Sequence, residues 1–351
     1  MFEHTAKRAL PMYYAILGGE AVPRYRLAKL LPVKVNLKDP ETDELWKVHD
    51  EAVTKFYDNF VSDLNLETKT DVKAVKPPKT SLLDLKLELA RRLSQECELC
   101  ERRCKAARPD QVGHCGVAES RISSEFLHHG EETELVPSYT FFFTGCTFNC
   151  VFCQNWDISQ NPTGGLPIEA RIVARMLKEQ SGRARNANWV GGDPTSNLPF
   201  ILEVLTLAEV DLAQVWNSNM YLTEESMKLL DSVIDVYLTD FKYGNNDCAK
   251  RLSNVKKYWD VITRNHKLAN DQTEIIIRHL VLPNHVECCT EPIMNWIAKK
   301  LDTSRVRVNV MDQYHPEWHA FDHDDIDRRL KLTEYTRAVG LAAKLKLNLC
   351  D

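Results

Sequence analysis

The stretch that decides the fold is residues 138–155, which read S-Y-T-F-F-F-T-G-C-T-F-N-C-V-F-C-Q-N. Its first part, residues 139–144, is a run of aromatic and β-branched residues, which is typical of a buried strand. The run ends at a glycine, and a loop that carries Cys146, Cys150 and Cys153 follows. The sequence therefore predicts a strand that delivers three thiols to one loop.

The spacing of these cysteines, C-x3-C-x2-C, suits a cluster of four irons, because each thiolate can reach a different iron while the loop curls around the cluster. The fourth iron then has no protein ligand. Catalytic metal sites keep an open position of this kind, whereas electron carriers normally close the cluster with four cysteines. Three free thiols on a surface loop, or part of a zinc site, are the alternative interpretations.

The loop resembles the cluster loop of the radical S-adenosylmethionine (SAM) enzymes, with Phe152 at the aromatic position before the last cysteine. The resemblance implies a 4Fe-4S cluster on Cys146, Cys150 and Cys153, whose open iron chelates the amino and carboxylate groups of SAM. It also implies reductive cleavage of SAM to methionine and a 5′-deoxyadenosyl radical, which abstracts hydrogen from an unactivated carbon.

The composition and charge of the chain exclude several classes of protein. The chain has 351 residues, of which 44% are hydrophobic and 27% charged, as in ordinary globular proteins. A net charge of −5 argues against a general nucleic-acid binder. Eleven cysteines in a chain of this length, without an N-terminal secretory pattern, favour a reducing cytoplasm. No apolar run approaches the roughly 18 residues that a membrane span requires, so we expect no membrane insertion.

Residues 1–80 are the least informative part of the sequence. Residues 43–64 have helix-like spacing of apolar residues, and residues 73–79, with two prolines, indicate a linker. We interpret residues 1–80 as a mainly helical N-terminal extension of unclear function that packs on the catalytic domain. Gating of the active site, or binding of a partner, is the alternative.

A second cysteine group follows an amphipathic helix predicted for residues 81–94. Its members are Cys97, Cys100, Cys104 and Cys115, spaced C-x2-C-x3-C-x10-C with glycines beside the last cysteine. Four thiolates at this spacing suit zinc or a second 4Fe-4S cluster, and we favour the cluster. Small buried core residues are the alternative.

Together, the two groups make the resemblance narrower. The chain resembles the radical SAM proteins related to pyruvate formate-lyase activating enzyme, from about residue 97 to its end. We therefore expect a cysteine-rich metal-binding segment at residues 81–135 and a radical SAM partial barrel at residues 136–351.

Strands and helices alternate after the cluster loop, which predicts a parallel sheet with right-handed crossovers. The six predicted strands are residues 139–144, 187–190, 214–216, 233–238, 274–277 and 306–310. Six such units form a partial (β/α)6 barrel, as the resemblance implies.

Polar groups follow the predicted strands, where a parallel barrel gathers its functional residues. The resemblance assigns SAM contacts to these strand-end groups, with Asp193 standing where the family usually has Glu, and the candidate cofactor-binding residues, with Phe152, are Gly191, Gly192, Asp193, Asn217, Ser218, Asn219, Asp240, Lys242, Arg278, His279 and Gln313. No role is assigned to Cys248, Cys288, Cys289 or Cys350, because lone cysteines are commonly core residues and an adjacent pair does not easily serve one metal. Residues 321–327, a charge run, are predicted as a solvated helix start.

The resemblance implies a protein or peptide substrate, from which hydrogen is taken at a backbone Cα. The product is then a stored glycyl radical or a C-methylated residue. Methylation would require cobalamin, for which the sequence has no Asp-x-His-x-x-Gly signature. An electron donor such as flavodoxin or ferredoxin is expected. A radical SAM enzyme for a small molecule or nucleotide, and a two-cluster electron-transfer protein, are the alternatives.

Overall fold

A computed structural model describes residues 2–61 and 75–350 of the chain. Its centre is an eight-stranded sheet in the order β3-β1-β2-β4-β5-β6-β7-β8. The strands are β1 (Arg121–His128), β2 (Ser138–Phe143), β3 (Leu166–Pro167), β4 (Asn186–Gly191), β5 (Ala213–Ser218), β6 (Val236–Asp240), β7 (Glu274–Leu280) and β8 (Val306–Met311). Strands β2 and β4 to β8 pair in parallel, which confirms the six predicted strands.

Strands β1 and β3 were not predicted. β1 pairs antiparallel with β2 and with the two-residue β3, so the cysteine-rich part of the chain adds an antiparallel edge to the sheet. The sequence of β1, R-I-S-S-E-F-L-H, has no apolar run and leaves most side chains at least partly exposed. Its signal is therefore much weaker than that of the buried parallel strands.

Helices cover the outside of the sheet and form the N-terminal part of the chain. In the described residues, the α-helices are α1 (Phe2–Ala9), α2 (Pro11–Gly18), α3 (Arg24–Leu30), α4 (Thr42–Phe60), α5 (Leu82–Gln95), α6 (Trp156–Ser159), α7 (Ala170–Gln180), α8 (Leu198–Leu207), α9 (Glu224–Leu230), α10 (Asn246–Ser253), α11 (Tyr258–Gln272), α12 (Glu291–Lys300) and α13 (Leu332–Lys344). The alternation of strand and helix in the barrel is confirmed.

Two helix predictions need comment. The predicted helix of residues 81–94 forms as α5, and a capping box fixes its start: Asp84 N–H donates to Ser81 Oγ at 3.2 Å, and Ser81 N–H donates to Asp84 Oδ2 at 2.8 Å. The prediction that the charge run of residues 321–327 starts a helix is wrong, because α13 begins only at Leu332. Its Asp325 instead forms an ion pair with Arg251.

The N-terminal helices pack beneath the sheet. Glu274, the first residue of β7, accepts backbone hydrogen bonds from Met12 at 2.5 Å and from Tyr13 at 3.0 Å. Apolar residues of α1 and α2 form one buried cluster with residues of β5, β6 and β7, including Leu10, Tyr13, Ile16, Val215, Val236, Leu238 and Ile276. The first two helices, α1 and α2, therefore cover the barrel at the end opposite the carboxyl ends of the strands, whereas α3 and α4 pack against α5. The part of the predicted linker at residues 73 and 74 lies outside the described residues.

The connection between β1 and β2 links the two sides of the sheet. Arg307 of β8 donates from Nε to Glu134 at 2.8 Å, and Arg278 of β7 donates from Nε to Glu132 at 2.7 Å. Both acids and Arg307 are buried. Since β2 and β8 are far apart in the strand order, these ion pairs show that the sheet curls into a partial barrel.

No helix among the described residues is long and apolar enough to cross a membrane.

Candidate active site at the carboxyl ends of the strands

The loop that follows β2 places its three cysteines around one cavity. Cys146, Cys150 and Cys153 all line this cavity, whose volume is about 240 Å³. The carboxyl ends of β4, β5, β6 and β7 contribute most of the remaining lining. The structure therefore brings the predicted cluster loop to the barrel edge where parallel folds gather functional groups.

Backbone hydrogen bonds hold the cysteine loop at both ends. Gly145 N–H donates to Ile158 at 3.0 Å, and a side chain at Gly145 would meet the carbonyl oxygen of Cys115 at 2.8 Å. Farther along, Asn149 N–H donates to the carbonyl of Ser253 at 3.2 Å. The loop is thus packed between the cysteine-rich segment and the end of α10, which leaves little freedom to rearrange.

Each sulfur of the loop has a hydrogen-bonding neighbour. Ser253 donates its hydroxyl to Cys150 Sγ at 2.9 Å, and Ser159 Oγ lies 3.3 Å from Cys153 Sγ. The Phe148 N–H donates to Cys146 Sγ at 3.3 Å. Hydrogen bonds to ligand sulfurs are among the features that set the reduction potential of an iron–sulfur cluster.

Burial favours the neutral form of two of these thiols when no metal is bound. Burial raises the pKa of Cys150 to about 12, although the nearby Lys242 acts in the opposite direction. Burial likewise raises the pKa of Cys146 well above its ordinary value. Because a metal centre deprotonates a coordinating thiol outright, binding an iron–sulfur cluster would remove the cost that burial imposes on these thiolates.

Among the described residues that line the cavity, there is no fourth cysteine and no histidine beside the three cysteines. Two carboxylates line it, and both have partners. Asp193 accepts hydrogen bonds from Thr195 N–H at 2.9 Å and from Ser218 Oγ and Asn219 N–H at 3.0 Å, and Asp240 pairs with Lys242. The three thiols thus face a space in which the described acidic groups are already engaged.

The glycines after β4 permit a very close approach of two backbones. Gly191 has φ of +120°, and a Cβ there would lie 2.2 Å from backbone atoms of Phe143. A Cβ on Gly192 would lie 2.0 Å from the carbonyl oxygen of Gly145. The glycines are therefore required for packing between β4 and the cluster loop.

Asp193 connects the ends of two strands, a structural role that the resemblance to the radical SAM enzymes did not indicate. It is buried, and its hydrogen bonds with Ser218 and Asn219 tie the end of β4 to the end of β5. Burial raises the pKa of Asp193, although these hydrogen bonds oppose the effect. Its carboxylate thus has internal partners, and its predicted SAM contact remains a prediction.

The three polar residues after β5 differ in the hydrogen bonds they already make. Ser218 donates to Asp193 and accepts from Met220 N–H at 3.0 Å. Asn219 donates to Thr147 Oγ1 at 3.0 Å within the cluster loop. Asn217 lines the cavity, and its side chain makes no hydrogen bond to the described residues. Asn217 is therefore the member of this group whose amide is available to a ligand.

Asp240 and Lys242 form an ion pair at the end of β6, and both line the cavity. Burial lowers the pKa of Lys242, but the carboxylate of Asp240 and the thiol of Cys150 raise it, with a net upward shift. The ammonium group thus stays charged beside the cysteine loop.

The two predicted residues of β7 have different positions. Arg278 lines the cavity and pairs with Glu131 and Glu132. His279 is buried away from the cavity lining, where Nδ1 lies 2.8 Å from the carbonyl of Phe241 and Nε2 lies 2.8 Å from Thr290 Oγ1. Because β7 alternates its side chains between two faces, the predicted SAM-facing role of His279 does not agree with its position.

The remaining predicted residues lie at the wall and the rim. Phe152 lines the cavity and packs edge-on against Tyr314, with ring centroids 5.8 Å apart. Gln313 is exposed outside the cavity lining, and its carbonyl accepts from Gln154 Nε2 at 3.4 Å. Four apolar lining residues were not predicted as site residues, since an apolar residue in a strand or loop gives no separate sequence signal: Phe148, Val190, Leu280 and Met311.

The second cysteine group forms a separate small cavity next to the cluster loop. Cys97, Cys100, Cys104 and Cys115 all line it. A Cβ on Gly113 would lie 2.9 Å from Cys104 Sγ, so this glycine permits the backbone to pass close to the group. The structure therefore brings the four predicted ligands together.

The second cavity directly adjoins the first. Thr147, the neighbour of Cys146, lines it, and Arg102 Nε donates to the Thr147 carbonyl at 3.0 Å. Arg108 donates to Cys115 Sγ at 3.3 Å. The cluster loop thus contributes Cys146 to the first cavity and its neighbour Thr147 to the second.

Comparison with known proteins identifies the domain type. The family model described as the Radical SAM superfamily matches residues 140–297. A Methanocaldococcus jannaschii protein, described as uncharacterized protein MJ0674, is 47% identical over 347 residues, covering 97% of this chain and 98% of that protein. A second protein of this organism, uncharacterized protein MJ0808, is 27% identical over 175 residues, or 49% of this chain and 50% of that protein.

Solved structures show more distant similarity. Streptococcus suis SuiB bound to S-adenosylmethionine has a TM-score of 0.44 and 13% identity, covering 94% of this chain and 72% of that one. Methylornithine synthase (PylB) has a TM-score of 0.44 and 11% identity, covering 96% of this chain and 78% of that one.

Proposed function

We propose that this chain, whose residues 140–297 form a Radical SAM superfamily domain, abstracts hydrogen from a carbon of a protein or peptide substrate, as the activating-enzyme group does. The observation that carries this proposal is the cavity where three cysteines of one loop meet polar strand ends without a fourth cysteine or a histidine among its described lining residues. When bound at Cys146, Cys150 and Cys153, a reduced 4Fe-4S cluster supplies the electron that cleaves SAM and generates the radical.

The residues around the cavity suit the charged ends of SAM. The Lys242 ammonium group faces the cysteine loop and can bind a carboxylate through a charge-assisted hydrogen bond. The N–H groups of Gly192 and Asp193 already donate to the carbonyls of Phe143 and Gly145. A ligand ammonium group would therefore meet this turn through carbonyl oxygens. Asn217 offers an uncommitted amide for a hydroxyl of the ligand.

The 4Fe-4S cluster and SAM would together occupy the cavity, whose volume is about 240 Å³. The hydrogen donor therefore has to approach through the mouth. A backbone segment of another polypeptide can do so without being enclosed.

The mouth has groups that suit a peptide. Gln154 and Asn155, directly after the last cysteine of the loop, are exposed and line the cavity, and Trp156, next in the sequence, is also exposed. Side-chain amides can pair with a peptide backbone, and an exposed tryptophan provides an apolar contact with a polar edge. We infer that this rim contacts the substrate backbone beside the Cα that loses hydrogen.

We further propose that Cys97, Cys100, Cys104 and Cys115 hold a second 4Fe-4S cluster. Among the described residues, only one set of three or more possible ligand atoms lies within 4.8 Å, and it includes none of these four. Thiolates that share one zinc lie about 3.8 Å apart, whereas thiolates on different irons lie farther apart. The wider spacing favours a cluster, which would receive electrons from a donor such as flavodoxin or ferredoxin.

The test is anaerobic reconstitution followed by SAM and dithionite. The proposal predicts 5′-deoxyadenosine, and no product would contradict SAM cleavage. Peptides with deuterium at backbone Cα positions should then transfer the label into this product. Label transfer from metabolites but not from any peptide would contradict the substrate class while leaving SAM cleavage intact.

Mass spectrometry of the substrate separates the two proposed outcomes. A gain of one methyl group per peptide, dependent on added cobalamin, identifies C-methylation. An unmethylated peptide with an organic radical signal identifies a stored glycyl radical instead. Neither result changes the assignment of the cluster loop.

A further inference from the structure

A third group of possible metal ligands lies outside both cysteine groups. Cys248 lies at the start of α10, and His285, Cys288 and Cys289 lie just before α12; one ligand atom from each of the four lies within 4.8 Å of the others. It is the one such set of three or more His, Cys, Asp or Glu residues that residues 2–61 and 75–350 contain. The function proposed above uses none of its members.

The separations within this group match a single tetrahedral ion. Cys288 Sγ lies 3.9 Å from the sulfurs of both Cys248 and Cys289. His285 Nδ1 lies 3.2 Å from Cys288 Sγ, 3.6 Å from Cys248 Sγ and 3.7 Å from Cys289 Sγ. Tetrahedral zinc, with Zn–S near 2.3 Å and Zn–N near 2.0 Å, requires ligand separations of about 3.8 Å between sulfurs and about 3.5 Å between nitrogen and sulfur. We propose that these four residues bind one zinc ion.

A wide helical turn explains how adjacent cysteines both face the centre. Residues Val286–Thr290 form a π-helical turn just before α12, in which Thr290 N–H donates to the carbonyl of His285 at 3.3 Å. Wide turns of this type are rare and occur frequently at functional sites. The adjacent residues Cys288 and Cys289, to which the sequence analysis assigned no role, can therefore both face one centre.

A carboxylate orients the histidine. His285 Nε2 lies 2.9 Å from Asp325 Oδ2, so a proton on Nε2 leaves Nδ1 as the ligand atom that faces the three sulfurs. Asp325 is held in turn by Arg251. Histidine ligands of metals almost always donate their second ring nitrogen to such a partner, which fixes both the tautomer and the ring.

The loop that carries Cys248 is held tightly against the π-helical turn. Asn245 donates from Nδ2 to the carbonyl of Cys288 at 2.9 Å. A Cβ on Gly244 would lie 2.6 Å from the same carbonyl oxygen. Glycine at 244 therefore permits the approach that brings Cys248 to the other ligands.

A closed Cys3His set indicates a structural ion, because no ligand position is left for substrate. Its position suggests what it stabilises. Cys248 lies in the first turn of α10, and Ser253 at the end of this helix contacts the cluster loop through its hydroxyl and its carbonyl. Zinc would fix the start of α10 against the loop before α12. It would thereby hold the neighbouring cluster loop in place.

The test measures zinc in the full chain, purified anaerobically under reducing conditions. We expect about one zinc ion per chain, retained in a Cys97→Ala, Cys100→Ala variant and in the control Cys350→Ser. The variants Cys248→Ser and Cys289→Ser should each reduce zinc content at least tenfold. Zinc content unchanged in both variants, or wild-type protein without zinc, would overturn the proposal.

Asp325→Asn covers the case in which a cysteine variant does not fold. It keeps all four ligands, and loss of the carboxylate should weaken zinc binding about 10- to 100-fold in competition with a chelator. An affinity within twofold of wild type would contradict the assigned geometry. An intact mass two hydrogens lower, with no zinc, would show instead that the thiols form a disulfide.

Discussion

The two cysteine groups that flank Thr147 are made from the same ligand type but have different surroundings. Cys146, Cys150 and Cys153 line a cavity shared with the polar ends of four strands, and the described lining holds no fourth cysteine. The group from Cys97 to Cys115 supplies four thiols to a small separate cavity. Because both groups consist of cysteines, the number of sulfurs and the access to the site must determine which reaction each group can support.

The two groups are expected to have different roles. A cluster held by Cys97, Cys100, Cys104 and Cys115 would have no open coordination position, so it would store electrons or stiffen the segment. A cluster held by the three-cysteine loop would have such a position, beside a lysine that suits a carboxylate. We therefore expect that loss of the three-cysteine group stops SAM cleavage, while loss of the four-cysteine group only slows it.

The largest effect is expected for Cys150→Ala. Loss of one of only three ligands should prevent assembly of the SAM-binding cluster, and SAM cleavage should fall at least about 1,000-fold because no other site offers an open iron. The measurement is 5′-deoxyadenosine formed per chain with dithionite. Cys350→Ala is the matched control, and it should retain the wild-type rate. Equal rates of SAM cleavage in Cys150→Ala and Cys350→Ala would contradict the assignment of the three-cysteine loop as the SAM-binding site.

The second-largest effect is expected for the group of Cys97, Cys100, Cys104 and Cys115. A Cys97→Ala, Cys100→Ala variant should fall from about eight irons per chain to about four, if both groups hold 4Fe-4S clusters. SAM cleavage should persist with dithionite, at a reduced rate, because the chemical reductant can reach the remaining cluster directly. Iron loss from both sites together would show that the two groups fold as one unit.

These two tests concern the part of the structure that was most predictable from the sequence. Six buried parallel strands were found from their apolar runs, and the resemblance to the radical SAM enzymes indicated which residues at the strand ends face the cavity. Cys146, Cys150 and Cys153 were found from their spacing alone. Local patterns were sufficient because each of these features lies within one short stretch.

Features that depend on three-dimensional proximity were not predictable. His279 and Arg278 are adjacent in sequence, but only Arg278 lines the cavity. Cys248 is forty residues from Cys288, and a π-helical turn was needed to bring both near Cys289. Strand β1 carries a polar sequence because its position at the sheet edge leaves most side chains at least partly exposed.

A smaller effect is expected for Lys242→Ala. A hydrogen bond to a charged group contributes about 1.5–3 kcal/mol, so the dissociation constant for SAM should rise about 10- to 100-fold. Lys228→Ala is the control, because its ion pair with Asp50 is solvent-exposed and should leave SAM binding unchanged. Equal SAM affinity in both variants, measured by equilibrium binding, would remove Lys242 from the site.

The smallest effect is expected for Ser253→Ala. Its hydroxyl donates to Cys150 Sγ, which stabilises the more negative, reduced cluster. Loss of about 1 kcal/mol from this hydrogen bond should lower the cluster's reduction potential by about 40 mV. Thr206→Ala, which removes a hydroxyl from the end of α8, is the control. A potential that does not change, measured by redox titration, would show that this hydrogen bond has no electronic effect.

The central claim is that the iron opposite the three cysteines binds SAM directly. The most direct test is electron–nuclear double resonance on the reduced Cys97→Ala, Cys100→Ala variant, with SAM isotopically labelled at its amino nitrogen. We predict a hyperfine coupling between the labelled nitrogen and the remaining cluster, and none in Cys150→Ala. A reduced cluster that shows no coupling to SAM at saturating concentration would contradict the account.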